Sequence, residues 1–326
     1  MTVDSRQLTV DGLQFSGRRR GPTTGDGRRA TAVAIAAAFL LGAMPAQAAL
    51  TGAPGLAAVY DAILDARFDR IDAQLKDACP PAPVEACASL AVVSLWWQIQ
   101  MRPESRLLDD RFNDLAAAAI AASGSWTKRE PGRAEAWFYL AGSYAPLVQW
   151  RVLRGERIAA ALDGKKIKDA LERALQLDPA LDDAYFGIGL YHYYADVAPP
   201  AAKMLRWLLF LPGGDRVKGL QEMLQARQRG VLLRGEADYQ LQQIYLWYER
   251  KPLRALELLQ ELDARYPTNP VFMRRIADVQ DQYFHDRQAS AKTLRALIER
   301  ARAGRVYDAQ QTEARARAAL ERLGVS

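Results

Sequence analysis

Three prolines set the register of this chain. Pro131, Pro179 and Pro267 are each followed, six residues on, by a large side chain at the head of a helical pattern: Trp137, Tyr185 and Met273. Behind each comes an aliphatic–small pair, Leu140-Ala141, Ile188-Gly189 and Ile276-Ala277, and in the first two a further large residue, Tyr144 and His192. A proline disfavours helix at the residue before it and cannot propagate one, so a fixed proline-to-helix interval marks a repeated junction between helices. One match carries little. Three in register with Ala- and Leu-rich segments constrain the chain to an all-α array of antiparallel helix pairs, an α-solenoid in which each pair buries its apolar face on the next.

The reading along the chain follows from that register. Apolar positions Val59, Ile63, Ile71 and Leu75 predict helix from Pro54 to Ala78, and Val84 to Met101 predicts a second, with Trp96-Trp97 as core. Leu107 to Ala122 reads as helix and Ser123 to Pro131 as a polar loop. Val148 to Leu162 extends a paired helix that Gly164-Lys165-Lys166 breaks before Ile167 to Leu177. Gly187 and Gly189 cost a helix up to about 1 kcal/mol each against Ala, so they predict a close helix–helix approach. Between 197 and 217 lies an insertion that ends in Gly213-Gly214-Asp215, a turn with Asp215 as N-cap of the next helix. Asp196 and Arg216 flank it and are expected to pair like a clasp. Helices over Ala237 to Glu249 and from Pro252 to Tyr266-Pro267 follow, and the Arg- and Ala-rich stretch Ala289 to Leu323 reads as capping helices.

Arg28-Arg29, an apolar run from Ala30 to Met44 and Pro45-Ala46-Gln47-Ala48 have the order of a secretory signal cleaved after Ala48. A membrane anchor needs about 20 apolar residues, and this run is shorter. The expectation is a signal peptide over 1–48 and one helical domain over 49–326, exported to the periplasm or secreted. General secretion and twin-arginine export both stay open as routes. The formal net charge of +6 includes six Arg and three Asp in residues 1–48, which leaves about +3 and no nucleic-acid footprint. Cys79 and Cys87 flank a proline-rich turn, and in an oxidising compartment they are expected to form a disulfide. Zinc would need two more ligands; a pair of free thiols is the other reading.

The junction residues resemble those of tetratricopeptide repeats. The run from Asp182 resembles in particular the tetratricopeptide repeat protein 39 family, through Gly187-Ile188-Gly189-Leu190, Pro199-Pro200, Gly214-Asp215-Arg216 and Gly219-Leu220, with a further likeness near Leu246–Arg250 and Ala255–Phe272. The likeness covers about half of the chain after the signal; the secretory signal and the Cys pair depart from it. Exported bacterial repeat proteins are similar too. The resemblance implies a helical-repeat scaffold with no catalytic residues to carry over.

No HExxH, P-loop, GxSxG or Rossmann fingerprint occurs, and histidine is limited to His192 and His285. His192 is expected to be a core residue bonded to Asp196 four residues on. No enzyme, metal site or cofactor is expected. Counting along from Trp137, Tyr185 and Tyr239 places Glu135, Phe138, Asp183, Phe186, Leu190, Tyr193, Gln240, Ile244 and Trp247 along an aromatic groove. That groove would grip an unidentified protein partner or, in a second reading, hold an apolar, lipid-type ligand in a closed pocket. Met204 to Leu211 is interrupted only by Arg206 and is expected to dock on the protein's own helices, with contact to a membrane surface or to the partner as the other readings.

Overall fold

The structure, a computed structural model, describes residues 50–198 and 213–324. They belong to one compact unit, Ala46–Ser326, and contain thirteen α-helices and no strand. The helices are α1 Ala53–Leu64, α2 Ile71–Ala78, α3 Val84–Met101, α4 Asp109–Arg129, α5 Ala134–Arg154, α6 Arg157–Leu177 and α7 Ala184–Val197. After residues 199–212 come α8 Arg216–Arg229, α9 Arg234–Trp247, α10 Pro252–Arg265, α11 Pro270–Gln282, α12 Arg287–Arg302 and α13 Ala309–Leu323. From α3 onward every helix packs against the next in sequence. The expected signal and the apolar stretch Met204 to Leu211 lie outside the described residues.

The proline interval has a physical cause. Trp137 Nε1 donates to the Pro131 carbonyl at 3.0 Å, and the Tyr185 hydroxyl donates to the Pro179 carbonyl at 3.2 Å. The large residue of the new helix thus ties back to the turn that launches it. At the third junction Asn269 does this work: its Oδ1 caps α11 by accepting from the Val271 amide at 3.0 Å, and its Nδ2 donates to the Leu64 carbonyl at 2.7 Å.

Of the two glycines in α7, only Gly189 allows backbones to meet. A Cβ there would lie 2.7 Å from the Gly219 carbonyl oxygen, and one on Gly219 would lie 2.5 Å from that of Gly189. Gly187 faces the tip of the Leu171 side chain instead.

Three boundaries differ from the sequence reading. Helix α6 runs unbroken through Gly164-Lys165-Lys166, because Lys165, Lys166 and Lys168 pair with Asp169, Asp163 and Glu172 on the same helix. The chain turns earlier, at Gly155, whose φ of 85° suits glycine. Helix α4 continues through Ser123, which hydrogen-bonds Ser143 at 3.1 Å in a buried serine cluster with Ser89. The segment Pro54 to Ala78 breaks at Asp65–Arg67, where Ala66 has a φ of 55°, because Asp65 turns away to accept from the Thr268 amide at 2.9 Å.

The disulfide Cys79–Cys87 is formed, with Cα atoms 6.5 Å apart, and joins the end of α2 to the first turn of α3. Helix α3 then runs along α5 and reaches the far half of the molecule. Trp97 is fully buried, 4.9 Å from the Tyr239 ring and 6.2 Å from that of Phe272. Past its end, Arg315 Nη1 donates to the Met101 carbonyl at 2.7 Å and Arg102 pairs with Asp308. Helix α1 meets the same half: the Tyr266 hydroxyl donates to Asp61 at 2.6 Å, and the Tyr60 hydroxyl to Glu236 at 3.4 Å.

Candidate functional site

The expected groove residues lie on α5, α7 and α9. Helices α1 and α3 cover that face on α5, α9 and α11, while Phe186, Tyr193 and Ile244 pack with Met223 and Ala226 of α8 and Leu258 of α10. Glu135 accepts from the Thr51 amide at 2.8 Å and its hydroxyl at 3.0 Å, while Arg133 closes over the same carboxylate at 2.7 Å. Gln240 donates to Glu236 at 3.0 Å, and Trp97 to the same carboxylate at 3.3 Å. Phe138, Phe186, Tyr193, Gln240 and Ile244 are buried and Leu190 is half-buried. Trp247, at the end of α9, is the exposed member of the set, at 46 %. Asp183 faces no groove either: it accepts from the amides of Val231, Leu232 and Leu233 and fixes the turn into α9.

The residues around the insertion do assemble, with altered partners. His192 Nδ1 meets Glu222 Oε2 at 2.7 Å, so its partner comes from α8 rather than being Asp196. Asp196 Oδ2 accepts from the backbone amide of Arg216 at 3.0 Å, and the Arg216 guanidinium donates instead to Glu249 at 2.8 Å. The contact between the two flanking residues therefore runs through the main chain. The Tyr193 hydroxyl donates to Glu249 at 2.6 Å. The Arg216 bond holds the Glu249 carboxyl below the usual range against its partial burial, with Tyr193 adding to the effect. Asp215 caps α8 by accepting from the Lys218 amide at 2.9 Å.

A cleft of about 380 Å³ lies between α4, α5 and α6. Asn113, Ala117, Ile120 and Ala121 line it from α4, Tyr144, Leu147 and Arg151 from α5, and Asp163 and Lys166 from α6. Asp163 is 3 % exposed; its carboxylate meets Lys166 Nζ at 2.8 Å and Arg151 Nη1 at 2.5 Å. The Asp163 carboxylate holds the Lys166 ammonium above the ordinary lysine range. The Arg151 contact is an ion pair by distance but lacks hydrogen-bond geometry. Asp163 Oδ2 and Arg151 Nε thus have no hydrogen-bond partner, although both are out of contact with bulk water. Sequence reasoning passed over this cleft, because Lys166 reads as a solvated turn until its carboxylate is seen on the same helix. Among the described residues no group of three or more His, Cys, Asp or Glu could hold a metal ion.

No protein-family model matches the chain, and no curated protein matches it in sequence.

Proposed function

We propose that the chain is an exported, non-enzymatic scaffold of the tetratricopeptide-repeat type that holds a protein partner in the cell envelope, seating a partner segment in the α4–α5–α6 cleft. The observation that carries this reading is the cleft itself: a largely apolar α4 wall faces the Arg151–Asp163–Lys166 ion cluster. An apolar ridge bearing a polar group is what such a surface would accept. The repeated proline junctions and the Gly189–Gly219 crossing support the repeat-type assignment, and the disulfide is compatible with an oxidising compartment. The lipid-carrier reading has less support. Of the aromatics that would line its pocket, Phe138, Phe186 and Tyr193 are buried within the protein and Trp247 is exposed.

A photo-crosslinking residue placed at Ala121 in native cells tests the proposal. A discrete adduct from Ala121, absent when the probe is at exposed Lys292 and lost on Asp163→Asn, is the expected result. Identical adducts from both positions would overturn it. Stoichiometric lipid co-purifying with the protein would favour the carrier instead.

A further inference from the structure

The last helix meets the end of α3 among a group of arginines. Arg315 Nη1 donates to the Met101 carbonyl at 2.7 Å and its guanidinium pairs with Glu104, while Arg102 pairs with Asp308. Beside these ties, at the start of α11, is a cleft of about 10 Å³ whose lining includes Pro270, Arg274, Asp308, Gln311 and Arg315. That is room for one particle of about the size of a water molecule.

Arg274 is the charge in this lining without a counter-charge of its own. It is half-buried, and among the described residues it makes no ion pair and no hydrogen bond. Burial first, then the charges of Arg315 and Arg275, pull its pKa below the ordinary arginine value. Asp278, one turn on in α11, opposes this less than either arginine drives it, and that carboxylate is shared with Arg275 and Arg322. Glu104 and Asp308 are committed to Arg315 and Arg102, so the surplus positive charge falls at Arg274. The helix ends act in the same sense. The cleft touches the first turns of α11 and α13, where backbone amides carry partial positive charge, and no side chain caps α13. Gln311 adds a neutral donor.

We infer that Arg274 and Arg315 hold a monovalent anion of chloride's size in this cleft, at the junction of α3, α11 and α13. The charge selects an anion, and the volume excludes sulfate and phosphate. Such an ion screens the two guanidinium groups from one another and staples the last helix to the end of α3. It uses none of the residues of the α4–α5–α6 cleft, so the scaffold reading and this one stand or fall separately.

Melting of the purified protein in sodium chloride and in sodium gluconate, at equal ionic strength, tests the inference. At about ten times its dissociation constant, chloride is expected to raise the melting temperature by about 3–6 °C, and the rise should saturate. The chloride NMR line should broaden on adding protein and sharpen again when bromide competes. Arg274→Gln and Arg274→Met should abolish both effects. In gluconate Arg274→Met should melt no lower than the unaltered protein, because a charge repelled by its neighbours has been removed while the apolar stem is kept. Lys292→Gln, which removes an exposed charge elsewhere, should retain the full chloride response. Equal melting of the unaltered protein in the two salts, a chloride response that survives Arg274→Gln, a response lost equally in Lys292→Gln, or an Arg274→Met protein destabilised in gluconate would overturn the inference.

Discussion

Glu236 is fully buried, and its carboxyl is met by three donors and no cation: Gln240 Nε2 at 3.0 Å, Trp97 Nε1 at 3.3 Å and the Tyr60 hydroxyl at 3.4 Å. Burial pushes its pKa up, and the three bonds only partly oppose this. A carboxyl whose folded pKa is raised favours the folded state below its unfolded value, about 4.3, and that benefit is lost as pH rises toward the folded value. Glu236→Gln should therefore melt higher than the unaltered protein at neutral pH, by roughly 2–4 °C for each kcal/mol relieved. The difference should shrink as pH falls toward 4; a gap that widens on acidification would contradict this account. The two glycines of α7 make a sharper pair. Gly189→Ala drives a methyl into the Gly219 carbonyl and should cost about 1–3 kcal/mol in urea unfolding. Gly187→Ala meets only the movable tip of Leu171, and gains up to about 1 kcal/mol of helix propensity in return. The need for small residues was legible in the sequence, but which glycine met backbone was not. Glu236 was not legible at all, since an acid in the first turn of a helix reads as a favourable dipole partner and its donors Trp97 and Tyr60 lie 139 and 176 residues away.

Elements were legible where their punctuation is local. The prolines at 131, 179 and 267 announce α5, α7 and α11 because the tie between turn and helix spans only a few residues. The break between α1 and α2 carries no such mark, since Asp65 finds its partner Thr268 203 residues on. Polarity misled at the end of α4, where a serine that reads as loop is bonded inside the core. At the α10–α11 junction Asn269 serves two helices, capping α11 and satisfying the Leu64 carbonyl at the end of α1. Asn269→Ala should lose the cap, worth about 1 kcal/mol, and orphan that carbonyl for about 1–3 more. Denaturant unfolding would then show about 2–4 kcal/mol; a loss confined to the cap would mean the Leu64 carbonyl finds another donor. Cys79→Ser with Cys87→Ser releases the short turn from α2 into α3. The chain-entropy model puts that at about 2–3 kcal/mol, to be read as the difference between oxidised and variant protein.

At the scale of the whole molecule, the face of α5, α9 and α11 is covered by the chain's own α1 and α3. Helix periodicity identifies which face of α5, α9 and α11 is apolar, but not that α3 returns to cover it. That fact depends on pairings such as Trp97 with Phe272 that no local pattern encodes. A chain beginning at Asp109 should consequently expose Tyr239 and Phe272, bind a hydrophobic dye and aggregate. A well-behaved monomer from that truncation would show that the cover is dispensable. The same closure bears on how the protein comes into being. In a row of helix pairs each end has one neighbour, and disorder creeps in from the ends. Here the early residues Met101 and Arg102 are held by Arg315 and Asp308, so the first part made is completed only by the last. Trp97, whose partners Tyr239 and Phe272 come late, therefore waits uncovered through most of synthesis, and a segment made early but sheltered late is one that a holding chaperone has time to grip.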